Sequence, residues 1–552
     1  MRKSEKPPRP VPQWLLTTLP ALTALLLLGL FSTEITDPDF WWHMKTGQYI
    51  VTEHRLPIPD PFAYTTAGAA TSPEEAATRR FNLTHEWLSQ AVWYLIYSGA
   101  GFGGVVLWKA LLLTILCAST GWVAYGRTGS WLWGIAAAGA AASLAIEFGH
   151  DRPGILSYVF TAIFVAILES RRRLWLLPVL AVLWANCHGG FFLGWIVCGA
   201  YAVEALVRRA PDARRILLMG GLAVLLSGLN PNGFAALVTV LRYRRSPLQA
   251  TLIEWSRPDL WGADAFHLLL FGAALVLALS WKRVRPADWI LFAAFSAAAL
   301  SAFRNEMLIG LLAPILIAAY FPWKRRLPQA AYFALGLLLT GGLGWGCASG
   351  RFFQLRAAEW RYPAGAAAFL AERHLSASLF NTYEYGGYLI WKGERVFIDG
   401  RALSEAVFAD YRVMLGAPPG DPARPALLAK YGIGAIVVNA FEYNGGTLYP
   451  LVLALADWKL VYEDPQALVF LRDPPPGMPV LDASRILDHL YTECRLHVEH
   501  DPDLPGCART LGDYFLRSGD RARARQALEL YLRHPYPGDI DARRAYMQLL
   551  QQ

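Results

Sequence analysis

Between Asp37 and His43 the chain reads Asp-Pro-Asp-Phe-Trp-Trp-His. Two carboxylates and an imidazole in so short a stretch offer a general base, or ligands for a hard cation. His85-Glu86 repeats that chemistry. His150-Asp151-Arg152 adds a third carboxylate beside an arginine, whose planar fork suits phosphate. Glu147, Asn186, His188, Asn230, Asn232, Glu254, Arg304, Asn305 and Glu306 interrupt otherwise apolar sequence in the same way. Plainer readings compete with these. An aspartate at a helix start satisfies free N–H groups, so Asp39 is also a candidate cap, and Arg304 and Glu306 are candidates to pair with each other. No H-E-x-x-H, C-x-x-C, phosphate loop or G-x-S-x-G pattern occurs, which disfavours a zincin, a nucleotide-driven pump or an α/β-hydrolase.

The elements that must position these residues follow from composition. Of 552 residues, 55% are apolar, 13% aromatic and only 17% charged, with a net charge of +8. Ordinary soluble domains carry about 25% charged residues. Long charge-poor blocks fill 14–348, whereas 349–552 reads as mixed sequence. A hydrocarbon core of about 30 Å asks for roughly 20 apolar residues per helix. Eleven segments qualify as candidate spans: 14–33, 101–125, 131–147, 153–169, 174–187, 189–207, 215–229, 266–281, 287–303, 306–321 and 328–348. The first is too long for a typical cleaved signal and contains Pro20.

Lysine and arginine near span ends stay on the cytoplasmic side. With Arg2, Lys3, Lys6 and Arg9 inside, alternation also puts inside Arg127, Arg171–Arg173, Arg208 to Arg215, Lys282 to Arg285 and Lys324–Arg326. Among the basic clusters between spans, the group at Arg242, Arg244 and Arg245 departs from the pattern. The positive charge therefore reads as a topological signal, and a nucleic-acid partner is not expected. The carboxylates, imidazoles and amides above then gather on the opposite, external side. Ionisable groups near hydrocarbon are expensive, so such a gathering points to function.

Residues 34–100 form a long external loop. Phe40–Glu53 and Glu86–Tyr97 read as amphipathic helices whose tryptophans suit the membrane interface. The Leu-Pro-Ile-Pro-Asp-Pro stretch from Leu56 to Pro61 cannot be regular structure. After the spans, 349–478 alternates short apolar runs at 378–380, 388–391, 395–399, 433–439, 459–463 and 467–471 with helical stretches at 357–376, 402–415, 423–431 and 449–457. That pattern predicts a small α/β domain. Residues 479–552 read as a helical, tetratricopeptide-like pair that packs as a cap on the α/β domain, since one pair cannot bury its own face. Cys117, Cys187 and Cys198 sit in or at spans as buried apolar groups, while Cys494 and Cys507 are candidates for an external disulfide.

This arrangement resembles the GT-C superfamily of integral membrane glycosyltransferases, which use polyprenyl-phosphate sugars. Asp37-Pro38-Asp39-Phe40-Trp41-Trp42-His43 is similar to the D-P-x-F-N-Y-type segment of the oligosaccharyltransferase catalytic subunit. Thr251-Leu252-Ile253-Glu254 resembles its T-I-x-E motif, and Thr382-Tyr383-Glu384-Tyr385-Gly386-Gly387-Tyr388 its W-W-D-Y-G motif. The resemblance implies a metal- and acceptor-contacting role for Asp37, with Asp39 as rival, and an acceptor-site role for Glu254. It also implies a second-loop acidic pair at Glu147 and Asp151. In the W-W-D motif Thr382 and Tyr383 replace the tryptophans and Glu384 the aspartate, departures that bear on asparagine-linked transfer more than on lipid-linked sugar transfer. Bacterial membrane proteins sharing D-P-D-x-W-W-H and Y-E-Y-G-G-Y segments are also similar.

The expectation is thus an α-helical polytopic, GT-C-like membrane protein of the bacterial inner membrane. Its N-terminus is cytoplasmic and its C-terminal α/β domain and helical tail are extracytoplasmic. It would move a sugar from a polyprenyl phosphate or pyrophosphate to a glycan, lipid or protein acceptor. Asp37, Asp39 and Glu254 are the expected catalytic residues, and Arg152, Arg304, His43 and His188 would hold phosphate. His85, Glu86, Glu147, Asp151, Tyr383, Glu384 and Tyr385 would line the site, and a magnesium or manganese ion would bridge Asp37 and Asp151. The competing readings are a transporter or flippase of lipid-linked glycan, and a membrane scaffold whose helical tail binds partners.

Overall fold

Helix α1 (Gln13–Phe31) carries Pro20 within it, as its apolar run predicts. In the computed structural model the described residues are 12–243, 253–321, 328–375, 378–417, 420–438, 458–464, 466–482, 486–502, 505–536 and 539–550. Several expectations fall outside them: the basic residues Arg2, Lys3, Lys6, Arg9, Arg244, Arg245 and Lys324–Arg326, the motif residues Thr251 and Leu252, and the helix at 449–457. The chain divides into two units. One comprises Met1–Pro57 and Ala77–Ala357, the other Ile58–Ala76 and Ala358–Gln552.

The first unit is helical. After α1 come α2 (Phe40–Glu53), α3 (Pro73–Thr84, of this unit from Ala77 onward), α4 (Trp87–Thr128), α5 (Trp131–Phe148), α6 (Ile155–Ser170), α7 (Leu176–Cys187), α8 (Phe192–Val207), α9 (Ala213–Leu226) and α10 (Ala235–Tyr243). They are followed by α11 (Ala265–Leu279), α12 (Pro286–Ala299), α13 (Met307–Tyr320) and α14 (Gln329–Ala348). Each of the eleven apolar segments contains a helix. Among the described residues, six helices are long and apolar enough to cross a membrane by length and composition, and α6, α7, α11 and α12 are shorter apolar helices.

Helix α4 is the axis of this unit, packing against α1, α2, α5, α6 and α13. The expected interfacial helix at Glu86–Tyr97 is the first part of α4, which passes a break at Gly101 (φ +62°) and continues through the predicted span. Glycine adopts that left-handed geometry without a Cβ penalty. The tryptophans also differ from expectation. Trp41 and Trp93 are fully buried in protein, where Phe40 lies 5.3 Å from Trp41 and 6.3 Å from Trp93 between ring centroids. Burying such large rings outweighs placing them at a lipid interface.

Opposite ends of the helices differ in how they handle charge. At the far end of α6 from Arg152, Glu169 accepts from Arg127 (2.7 Å) and Arg285 (2.5 Å). Asp288 of α12 accepts from the same two arginines at 2.9 and 3.1 Å, and from the Tyr320 hydroxyl at 2.5 Å. Arg127 and Arg285 are therefore interhelical clasps as well as charges at span ends.

The second unit centres on a four-stranded sheet of β1 (Ser378–Asn381), β2 (Ile433–Val438), β3 (Lys459–Glu463) and β4 (Leu468–Leu471), in the order β1-β2-β4-β3. β1 and β2 are parallel, with Phe380 opposite Ile436, and the other pairs are antiparallel. Two expected strands are absent. Residues 388–391 lie in helix α16 (Gly386–Lys392), because a short buried apolar run has no period that separates strand from helix. Residues 395–399 make only one isolated bridge, Val396 to Ala63. The predicted helix at 357–376 shortens to α15 (Ala364–Glu372), since Pro363 ends any turn before it. Helices α17 (Glu405–Gly416) and α18 (Ala423–Lys430) match expectation.

Residues 58–76, from the irregular proline stretch onward, belong to this unit. Asp60 accepts from Arg401 at 2.7 Å, and Asp399 holds the same guanidinium at 2.7 Å, with all three side chains buried. The tail forms α19 (Ile486–His500), α20 (Gly506–Ser518), α21 (Arg521–Leu532) and α22 (Ile540–Leu550). A disulfide joins Cys494 to Cys507. Leu490, Phe515, Leu528 and Tyr531 share one core with Phe380, Ile436 and Phe470 of the sheet.

Candidate active site

Three loop segments of the first unit meet on one guanidinium. Asp37 and Asp39 lie between α1 and α2, Arg152 between α5 and α6, and Glu254 in a single turn over Ile253–Trp255. Arg152 places Nε 3.4 Å from Asp37 Oδ2, Nη1 2.8 Å from Asp39 Oδ2 and Nη2 2.7 Å from Glu254 Oε2. Only arginine has a donor fork broad enough for three carboxylates at once. Arg304 completes the set, 3.2 Å from Glu254 Oε1 and stacked over Trp255 at 4.8 Å. It does not pair with Glu306.

The remaining bonds settle the local alternatives for Asp39. Its side chain makes no capping bond to α2; one oxygen accepts from Trp42 Nε1 at 3.0 Å and the other from Arg152. Asp37 Oδ1 instead accepts the Asp39 N–H at 2.9 Å. Asp151 accepts the backbone N–H of Thr36 at 2.8 Å and of Asp37 at 3.3 Å, and its other oxygen lies 2.6 Å from Lys109 Nζ. Lys109 also donates to the Thr33 carbonyl at 3.1 Å. Lys109 is the residue that motif reading misses. Its signal was present, because a lone lysine inside the run Val-Val-Leu-Trp-Lys-Ala-Leu must have a buried partner.

Burial raises the carboxyl of Asp37 and raises that of Asp39 to about 6, with neighbouring carboxylates adding to the effect and Arg152 opposing it. Glu254 falls to about 2, because Arg304 and Arg152 outweigh its burial. Three carboxylates against two guanidinium groups leave one negative charge in excess, and the raised Asp39 is where a proton is most easily taken up. Asp39 is also the more open of the aspartates, 20% exposed against 8% for Asp37.

A second cluster forms around Glu86. Its Oε1 lies 3.5 Å from Nε2 of both His85 and His188, and its Oε2 3.6 Å from His43 Nδ1. Burial holds His43 and His188 near pKa 3, so both are neutral and bring no charge to a phosphate. The amides serve structure: Asn186 accepts from Trp87 and donates to the Leu229 carbonyl, Asn232 donates to Thr84, and Asn305 to the Ala298 carbonyl. Glu147 is exposed and makes no ion pair among the described residues.

Tyr383, Glu384 and Tyr385 belong to the second unit. There Tyr385 is buried and donates to the Gln466 carbonyl, while Tyr383 N–H donates to the Tyr411 hydroxyl. A Cβ on Gly386 would lie 2.2 Å from the Ile398 carbonyl oxygen, so close packing explains at least the first glycine of that motif.

No protein-family model matches the sequence, and no curated protein matches it. Solved structures do. The archaeal oligosaccharyltransferase AglB from Archaeoglobus fulgidus, in complex with an inhibitory peptide and a dolichol-phosphate, is similar with a TM-score of 0.51. It shares 11% identity over 85% of this chain and 75% of that one. The Archaeoglobus fulgidus oligosaccharyltransferase tethered to an acceptor peptide containing the NVT sequon gives 0.50, at 10% identity and the same coverages. These likenesses establish that the chain shares the fold of these oligosaccharyltransferases.

That fold class raises the question of a divalent cation. The expected pair does not fit one as it stands. Asp151 is matched by Lys109 and two backbone N–H groups, and Asp37 by Arg152 and the Asp39 N–H. A cation bridging them would have to displace both protein cations.

Proposed function

We propose that this protein is a membrane glycosyltransferase that moves a sugar from a polyprenyl-phosphate or pyrophosphate donor to an acceptor on the extracytoplasmic face. The observation that carries this reading is the convergence of Asp37, Asp39, Glu254, Arg152 and Arg304 from separate loops of a GT-C fold. In the proposed step an acceptor O–H or N–H attacks the anomeric carbon. The bond from that carbon to the phosphate oxygen breaks, and the phosphate departs with the electron pair and inverts the centre. The acceptor proton passes to a first-loop carboxylate. Greater exposure and a pKa near 6 favour Asp39 over Asp37 for that role.

Arg152 and Arg304 are the groups in reach of a departing phosphate. Glu254 holds both in place until the charge develops, so the field is set before the reaction begins. The Trp255 face beneath Arg304 restricts that guanidinium further. Membranes carrying the protein should transfer labelled sugar from a polyprenyl-linked donor. Wild-type rates in both Asp37→Ala and Asp39→Ala would remove the mechanism.

A further inference from the structure

We infer that His85, Glu86 and His188 form a binding site for one divalent transition-metal ion. This goes beyond the transfer reading and does not depend on it. Both imidazole Nε2 atoms face a single carboxylate oxygen, each 3.5 Å from Glu86 Oε1, and all three donor atoms lie within 4.8 Å of one another. A tetrahedral ion with bonds of about 2.1 Å spaces its ligands by about 3.4 Å. The two nitrogen-to-oxygen spacings therefore match such a polyhedron already, and both are long for a hydrogen bond.

The outer contact of His85 points the same way. His85 Nδ1 lies 2.9 Å from the Phe81 carbonyl, which can only accept, so Nδ1 carries a proton, and in the neutral imidazole the Nε2 lone pair faces Glu86. A lone pair turned toward a buried carboxylate is repulsive unless a proton or a metal ion lies between them. The Phe81 ring stacks on His85 at 4.3 Å and fixes its orientation. His188 Nδ1 lies 2.6 Å from Ser157 Oγ, itself an acceptor from Trp184 Nε1. Nδ1 also accepts the Gly190 N–H at 3.1 Å. Metal at His188 Nε2 would move the ring proton to Nδ1, exchanging the Gly190 contact for donation to Ser157 Oγ, the supporting arrangement that ligating histidines use.

Sequence supports the same geometry. A Cβ on Gly189 would meet the Phe81 ring at 2.7 Å and His85 at 3.1 Å, and one on Gly190 would meet Ser157 Oγ at 2.5 Å. The His-Gly-Gly run thus lets this loop approach closely enough to share the site. Two imidazoles and one carboxylate select zinc, cobalt or nickel over magnesium, and leave a fourth position for water or a ligand oxygen.

The test uses the full chain purified in detergent and stripped with chelator. One equivalent of Zn²⁺ should bind, and X-ray absorption should show imidazole and oxygen ligands. His85→Ala and His188→Ala should each weaken binding by at least about 100-fold, and Ser157→Ala by about 10-fold or more. Asp37→Asn and Asp151→Asn should leave it unchanged. Less than half an equivalent in the wild type, a spectrum without imidazole, or full binding in both histidine variants would overturn the site. The wild-type stoichiometry and spectrum decide the matter even where a variant does not fold.

Discussion

Lys109 Nζ lies 2.6 Å from Asp151 Oδ1, with both side chains about 95% removed from solvent. A lysine from the middle of α4 thereby anchors the loop that carries Arg152, and Asp151 in turn holds the backbone of Thr36 and Asp37. Removing one member of such a pair leaves a buried charge alone, which costs about 3–5 kcal/mol. Lys109→Met should lower the thermal midpoint in detergent sharply. Lys109→Met combined with Asp151→Asn should recover part of the loss; equal losses in single and double variants would show that the pair is not coupled.

Arg152 is expected to be irreplaceable by lysine. An ammonium cannot present three directed donors to Asp37, Asp39 and Glu254. Arg152→Lys should reduce sugar transfer by about 10²- to 10³-fold, as loss of a preorganised charge does elsewhere. The measurement is initial rate with a labelled polyprenyl donor, alongside a melting curve to confirm folding.

The pH dependence follows from Asp39, raised chiefly by burial from 3.8 to about 6. A base must be ionised, so transfer should rise about tenfold per pH unit below 6 and level off above it. Stability runs the other way. The folded state binds this proton more tightly than the unfolded chain, so the contribution is present below about pH 4 and lost as pH rises through 6. Asp39→Asn should abolish both trends in rate and melting profiles.

In the second unit, Arg401→Met would leave Asp60 and Asp399 buried without their cation. A loss of about 3–5 kcal/mol is expected, read as proteolytic sensitivity of residues 358–552. Cys494→Ala with Cys507→Ala removes a cross-link over a sequence separation of 13. Loop entropy places its stabilisation near 3 kcal/mol, and melting with and without reductant would measure it.

Much of this architecture was legible in the sequence because it rests on short-range signals. Apolar length locates a helix in each of the eleven segments, and Asp37, Asp39, Arg152, Glu254 and Arg304 are all among the polar residues that interrupt or flank them. What stayed hidden was pairing across the chain. Arg304 and Glu306 are close in sequence and candidates to pair, whereas Glu254, 50 residues away, takes Arg304. Asp151 is a candidate metal ligand by sequence, whereas Lys109 pairs with it in the fold. Nothing local in Tyr388–Trp391 distinguishes a buried helix from a buried strand, and tertiary packing decided for helix.

The proline-bounded stretch around Asp60 has a consequence for how the protein can be taken apart. The Val396 N–H donates to the Phe62 carbonyl, the Tyr64 N–H donates to the Val396 carbonyl, and Thr65 donates to the Phe397 carbonyl, so a piece from the early chain is woven into the later unit. No single cut can release that unit intact. Proteolysis or gene fission near residue 357 would leave it missing Asp60, one of the two carboxylates that hold Arg401. The two units are inherited together: a recombination event that swapped only the C-terminal part would have to bring residues 58–76 with it.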